Sequence, residues 1–336
     1  MSVSEGLFLV SDIGGTNARF ALAHLKDGAI DIEAPTVFHT AEYRILADAL
    51  AAYLEGKGRP ELDAVAVCAA GPVLGEGAAA RIHMTNCPWD VSVEALASAT
   101  GVARPLLVND FAALALAVPQ LKHADLHAIG GGKADTRAPI GILGAGTGLG
   151  VAAVVPDGRG NFVPVPGEGG HVDLAPTNER EIAVLTHLMR EYGRVSVERV
   201  LSGPGLVSLY RTLAALDGHT VEGQPTGADI SDWAEAKSSA GAVEAVSMFC
   251  GWLGAVAGNL ALTLGAKGGI FIGGGIVPGW IETRCGLFDE DLFRRRFEAK
   301  GRFEAYLAAI PVSAIMRGDT ALLGLAYAAK DRLAAG

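Results

Sequence analysis

The sequence predicts an α/β protein with buried sheets and more than one domain. Three observations carry that expectation. Short continuous apolar runs alternate with segments of helical periodicity, as in folds whose strands are covered on both faces. The chain has 336 residues, half of them hydrophobic, which is enough for a large core and for more than one of them. One pattern also occurs twice. SDIGGTNARFALAHLKDG (residues 11–28) and LGAGTGLGVAAVVPDG (residues 143–158) each run from an apolar strand through a Gly/Thr turn into a second apolar strand that closes on Asp-Gly. The Asp-Gly pairs predict tight hairpins. Two readings fit the pair: a weak internal repeat, one copy per lobe, or chance similarity of glycine-rich hairpins.

The elements follow in order. LFLVSDI (residues 7–13) and ARFALAHL (residues 18–25) predict strands on either side of the first glycine turn. Helical spacing ending in glycine predicts a helix over residues 41–56. DAVAVCAAG (residues 63–71) is a continuous apolar run closed by Gly-Pro, as a buried strand would be. Residues 91–101 predict a helix, and PLLVNDF (residues 105–111) a strand ending in polar residues. The second half restarts the theme with strands over 139–146 and 149–158, then helices over 179–192, 204–216, 240–266 and 289–308. Residues 218–230 are polar and glycine-rich, which predicts a surface loop. GGIFIGGGIVPG (residues 268–279) is a strand with a glycine-rich exit, and residues 320–336 predict a closing helix that docks onto an earlier lobe. The stretch 240–266 is apolar over enough length to cross a bilayer, but Glu244, Asn259 and many small residues interrupt it, so a buried core helix is expected.

The net charge of −10 gives no basic surface for a nucleic-acid partner, and none is expected. Cys68, Cys87, Cys250 and Cys285 show no CxxC spacing, so reduced thiols are expected rather than a zinc ribbon or a disulfide scaffold. The opening MSVSEGLFLVSD has neither the basic region nor the long apolar core of a secretory leader. A cytoplasmic location with no membrane partner is the expectation.

The glycine turns do not match the commonest phosphate loops. GxxxxGK[ST] is missing from the sequence, and GAGTGLG (residues 144–150), though glycine-rich like a dinucleotide loop, does not complete GxGxxG and runs into VAAVV, a β-branched run unlike the start of a helix. A glycine hairpin can nevertheless hold phosphate, because successive N–H groups in a tight turn form an anion nest that glycine lets a ligand approach. Two hairpins could grip a nucleotide's phosphates and GGGI (residues 273–276) could approach an adenosine; three structural turns are the alternative. Asp12 beside a phosphate turn would need a cation between them, which Mg²⁺ held through water would supply. An ordinary turn bond is its other reading.

Polar residues cluster at three further places. Asn109 and Asp110 end an apolar strand, Glu168 and His171 are bracketed by glycines in VPGEGGHVDLAP, and Glu198 lies in VSVERVLSGPG. Singly, Asp110 could cap a helix, His171 could be a satisfied core histidine, and Glu198 could pair with Arg199 or Arg194. Together they are the groups that hydrogen-bond a polyol, with a carboxylate able to accept a hydroxyl proton during phosphoryl transfer.

DIGGTNARFAL, NDF at 109–111, GAGTGLGV, PGEGGHVD, ERVLSGPGL and GGIFIGGGIVP, in that order from about residue 7 to 327, resemble the bacterial glucokinases of the ATP-dependent, zinc-free type, within the actin-like ATPase and hexokinase superfamily. The resemblance implies an α/β fold of two actin-like (ribonuclease H-like) lobes with an interlobe cleft. Residues 1–110 with 317–336 would form the small lobe, and 111–316 the large lobe with the contact of a homodimer. It implies ATP-dependent phosphorylation of D-glucose to glucose 6-phosphate, the entry step of glycolysis. Asp110 would be the general base, and Asn109, Glu168, His171 and Glu198 would bind the sugar's other hydroxyls. Ser11, Asp12, Ile13, Gly14, Gly15 and Thr16 resemble the first phosphate loop, and Gly144, Gly146, Thr147 and Gly148 the second. Gly273, Gly274 and Gly275 resemble the adenosine loop, and Asp12 is similar to the acid that holds Mg²⁺ through water. Related families follow their Glu-x-x-Gly-His with a zinc-binding cysteine cluster; here VDLAPTNERE follows His171, so no zinc is expected. A kinase for mannose, fructose or an N-acetyl amino sugar, and a non-catalytic sugar sensor, are the alternatives.

Overall fold

The computed structural model of the chain describes residues 4–84, 87, 89–284 and 286–335. Cys285 lies outside the described residues; Cys68, Cys87 and Cys250 are buried free thiols. Elements run β1 (Glu5–Ile13), β2 (Asn17–Lys26), β3 (Ala29–Ile32), β4 (Thr36–His39), α1 (Leu46–Gly56), β5 (Ala64–Ala69), β6 (Val73–Leu74), β7 (Arg81–Ile82), β8 (Val91–Ser92), α2 (Val93–Thr100), β9 (Leu106–Asn109) and α3 (Asp110–Ala117). Then come β10 (Leu126–Gly130), β11 (Ile140–Ala145), β12 (Leu149–Pro156), β13 (Phe162–Gly167), α4 (Glu179–Tyr192), α5 (Gly203–Leu216), α6 (Gly227–Glu235) and α7 (Ala240–Leu264). The chain ends with β14 (Gly269–Gly273), α8 (Ile276–Thr283), α9 (Glu290–Glu298), α10 (Glu304–Ala308), β15 (Val312–Ile315) and α11 (Thr320–Ala335). Two compact units result: Met1–Leu121 with Arg317–Gly336, and Lys122–Met316.

The first unit is built on a sheet of order β3-β2-β1-β5-β9, with β4 also on β2. β1 is antiparallel to β2 and parallel to β5, which is parallel to β9. Strand periodicity explains why the runs are continuously apolar. Leu9, Ile13, Phe20, Leu22, Val65 and Val67 enter one core with Leu46, Leu50 and Tyr53 of α1 and Leu96 of α2. Phe8, Val10, Ala21, Ala23, Ala66 and Cys68 face the other way into a second core with Leu322, Leu325, Ala326 and Ala329 of α11. Both faces are therefore covered.

The second unit has the order β10-β15-β14-β11-β12-β13. With β10 set aside, β13-β12-β11-β14-β15 reproduces β3-β2-β1-β5-β9 with the same strand senses. The glycine turns occupy the same place in both, joining β1 to β2 and β11 to β12. Shared topology supports the internal repeat over chance similarity. The core of this unit surrounds α7, whose Phe249, Trp252 and Leu253 are fully buried. Its small residues admit a neighbouring helix: a Cβ on Gly254 would stand 2.2 Å from the Phe293 carbonyl oxygen, and one on Gly258 2.4 Å from that of Phe297. The long apolar stretch is thus a core helix packed against α9.

Several expected boundaries shift. The helix expected from residue 41 begins at Leu46, because Tyr43 is held extended at φ −125°, stacks on Phe38 at 5.1 Å and accepts a hydrogen bond from Trp89 Nε1 at its carbonyl. The expected helix 289–308 is two helices, broken where Gly301 takes φ +57° and Lys300 turns inward to donate to the Ala255 carbonyl. The expected loop 218–230 stops at Thr226, which caps α6 in a reciprocal box with Asp229. Asp27-Gly28 is the tight turn expected, both residues having positive φ, of 52° and 81°. Asp157-Gly158 instead opens a wider loop, in which the Asp157 carboxylate accepts the Arg159 and Asn161 N–H groups.

Candidate active site

In the first unit the candidate residues gather at the carboxyl ends of parallel strands, where α/β sheets place their ligands. Register sets Asp12 of β1 beside Cys68 of β5, and Cys68 beside Val108 of β9. Asp12 is about a quarter exposed, with Arg19 Nη1 3.2 Å from Oδ2 and Cys68 Sγ donating to Oδ1 at 3.6 Å. Burial, and then the charges of Asp12 and Asp110, push the Cys68 thiol well up, so it remains a neutral S–H donor. The turn after β1 closes by a Gly14 N–H bond to the Asn17 carbonyl at 2.8 Å. Thr40 Oγ1 donates to the Gly15 carbonyl at 2.9 Å, steadying the turn from outside. Ser11 and Ile13 alternate with Asp12 and turn their side chains into the core, at 0% and 1% exposure. Ser11 and Ile13 can therefore serve a ligand only through their backbone.

Asn109 and Asp110 divide the work of the next strand end. Asn109, rather than Asp110, is the N-cap of α3: its Oδ1 accepts from Phe111 N at 2.9 Å and Ala112 N at 3.3 Å, while Nδ2 donates to the Gly71 carbonyl at 3.0 Å. Asp110 is the first residue of the helix, and its Oδ1 accepts from Phe111 N at 2.8 Å. The carboxylate is held at the helix start and is only half-buried.

In the second unit His171 and Glu198 meet around the start of β12, and Glu168 lies in the same turn as His171. Glu198 Oε2 accepts from Leu149 N at 2.8 Å, and its Oε1 lies 3.9 Å from His171 Nδ1. The His171 side chain is 58% exposed, so it is not a core histidine. Nor does Glu198 pair with its neighbours in sequence: Arg194 bonds Asp173 at 2.8 Å, and Arg199 lies 4.2 Å above the Tyr192 ring. Glu168 is exposed, and its carbonyl accepts from His171 N at 3.0 Å. The bracketing glycines are explained by contact, since a Cβ on Gly170 would stand 2.1 Å from the Leu149 carbonyl oxygen. Gly148 differs, because a Cβ there would stand 2.5 Å from Glu198 Oε2, the end of a flexible side chain that could shift.

The other two glycine segments of this unit also meet. A Cβ on Gly144 would stand 2.4 Å from the Gly273 backbone, and Gly274, at φ +78°, rides over Ala145. Gly146 N bonds the Gly148 carbonyl, and the Gly146 carbonyl accepts from Gly203 N, each at 2.8 Å. A cavity of about 300 Å³ lies against Gly146, Thr147 and Gly275. Its remaining walls include Gly203, Pro204, Gly227, Ala228 and Trp280, flat surfaces suited to a planar base. Those wall residues were missed as candidates; the one signal available was the recurrence of glycine at helix starts, in SGPG and PTGAD.

Within the first unit the glycine turn, Asp12, Asn109 and Asp110 thus share one end of the sheet, and within the second Glu198 and His171 lie beside the glycine turn that borders the cavity. Comparison with known proteins identifies the family. A family model described as glucokinase matches residues 9–332. The glucokinase of Chromobacterium violaceum is 45% identical over 326 residues, covering 97% of this chain and 90% of that protein. The glucokinase of Paramagnetospirillum magneticum is 44% identical over 329 residues, covering 97% of this chain and 98% of that protein. Among solved structures, a glucokinase from an Antarctic psychrotroph is 34% identical and superposes with a TM-score of 0.86 over 97% of this chain and 99% of its own. The fold is the actin-like one of the sugar kinases, and the chain belongs to the glucokinase family.

Proposed function

We propose that the chain transfers the γ-phosphoryl group of ATP to the 6-hydroxyl of D-glucose, the entry step of glycolysis. The observation that carries this reading is the family match over residues 9–332. In this reading Asp110 takes the proton from O6 as that oxygen attacks phosphorus, its carboxylate oriented by the Phe111 N–H. Glu168, His171, Glu198 and Asn109 bind the remaining hydroxyls; Asn109, with Oδ1 committed to the cap of α3, contributes through its amide N–H. The backbone N–H groups of residues 11–16 and 144–148 hold phosphate oxygens, and Gly273–Gly275 border the adenosine.

The Asp12 site fits Mg²⁺. A single, partly exposed carboxylate beside a glycine turn suits a cation that keeps several waters and takes its other ligands from phosphates. When bound, the ion would neutralise charge on the transferring phosphate. In the same reading the protein is a cytoplasmic homodimer.

The test is a coupled ADP-release assay with Mg·ATP over glucose, mannose, fructose and N-acetylglucosamine. Glucose is expected to give the highest kcat/KM. A higher value for another hexose would reassign the substrate, and no turnover with any of them would favour a sugar sensor.

A further inference from the structure

A cavity of about 250 Å³ lies in the second unit, away from the base-sized one. Its buried walls are Val151, Val197, Trp252 and Ala255, and exposed Val172 and Asn259 stand at its rim. Among the described residues no lysine, arginine or histidine lines it, and the one charged group is Asp173, already bonded to Arg194 at 2.8 Å. That lining disfavours ions of either sign and suits a compact apolar molecule with one hydrogen-bonding group for the Asn259 amide.

The wall is also a mechanical link between candidate sugar ligands. Val197 N bonds the Val172 carbonyl at 2.9 Å, and Leu174 N bonds the Val195 carbonyl at 3.1 Å. Val172 follows His171, and Val197 precedes Glu198. Trp252 Nε1 donates to the Ala175 carbonyl at 3.3 Å, tying the same segment to the cavity wall. A molecule in the cavity would press on one hydrogen-bonded ribbon that carries both His171 and Glu198.

We propose that this cavity is a ligand-binding site for a small, uncharged, mainly apolar molecule bearing a hydroxyl, and that its occupancy changes the affinity for glucose. The second half rests on the sugar-binding role of His171 and Glu198; the first does not. The test uses the full-length protein with cyclohexanol as probe, and with cyclohexanecarboxylate and glycerol as controls. Cyclohexanol is expected to produce a saturable change in tryptophan emission, with a midpoint on the order of millimolar. The change should disappear in Trp252→Phe and in Ala255→Leu, whose larger side chain fills the cavity. Val256→Phe, from the same wall, replaces the latter should it not fold. Saturating cyclohexanol should shift KM for glucose at least about twofold and leave KM for ATP unchanged. A non-saturable response, an equal response in the filled variant, or equal binding of the carboxylate or glycerol would overturn the site. Binding without a shift in KM would overturn the coupling, provided His171→Ala raises KM for glucose. If His171→Ala leaves KM unchanged, the sugar assignment fails instead and the site itself stands on the binding data.

Discussion

At the scale of single residues, Asp110 and Gly148 make the sharpest demands. Asp110 starts α3, and its carboxylate accepts from the Phe111 N–H. Replacing it by alanine leaves Asn109 as the helix cap, so the fold should persist. As general base it should account for about 10²–10⁴ of kcat. Asp110→Ala is thus expected to bind glucose nearly as the wild type does by calorimetry while losing turnover on that scale; near-normal kcat would remove the base assignment. Gly148 tests the proposed role of Glu198. A Cβ there would lie 2.5 Å from Glu198 Oε2, which accepts from Leu149 N. Gly148→Ala should displace the Glu198 carboxylate, raise KM for glucose severalfold and leave thermal stability almost unchanged. An unaltered KM would place Glu198 outside the sugar site.

At the scale of elements, α4 and α9 are joined by a buried ion pair. Glu181 is nearly inaccessible; its Oε1 lies 2.5 Å and its Oε2 3.2 Å from Arg296, and Thr177 N donates to Oε2 at 2.7 Å. Burial alone would raise the pKa of Glu181, but the Arg296 and Thr177 hydrogen bonds outweigh it and hold it below the usual 4.5. A depressed folded-state pKa contributes stability that is fully present above about 4.5 and is lost as pH falls through the lower folded value. Glu181→Ala leaves a guanidinium without its partner, a change that costs about 3–5 kcal/mol. The melting transition should fall on the order of 5–10 °C at neutral pH. The deficit should shrink as pH drops below 4, because the wild type then loses the same contribution. Calorimetric scans of both proteins from pH 7 to 3 would measure it, and a pH-independent gap would show that packing, not the ion pair, joins the helices.

For the whole molecule, the repeated glycine hairpin and the buried sheets were legible because strand periodicity and glycine turns are local signals, whereas the strand order that the two units share was not. The candidate residues Asp12, Asp110, Glu168 and His171 were legible for a related reason, since each ends or follows a strand or sits beside glycines; Glu198 has neither mark. What stayed hidden depends on packing across the chain. The side-chain direction of Ser11, the start of α1 set by Trp89, the break before α10 set by Lys300, and the walls of the base-sized cavity have no local sequence mark. The role of α11 lies between these cases, since its helicity is local but its place is not. Leu322, Leu325 and Ala326 are almost fully buried against Phe8 and Val10, roughly three hundred residues earlier in the chain. Gly324 lets α11 touch α3, because a Cβ there would stand 1.9 Å from the Ala113 carbonyl oxygen. Each buried leucine contributes about 1.5–3 kcal/mol against a domain stability of about 5–15 kcal/mol, so one face of the first sheet depends on the chain's last helix. Ending the chain after Arg317 should abolish amide-exchange protection in β1 and β5 while β11 and β14 retain theirs. Leu325→Ala should lower the stability of the first unit by about 2–5 kcal/mol without unfolding it. Exchange measured by mass spectrometry would report both, and persistent protection of Phe8–Val10 in the truncated chain would show that α11 is dispensable to that core.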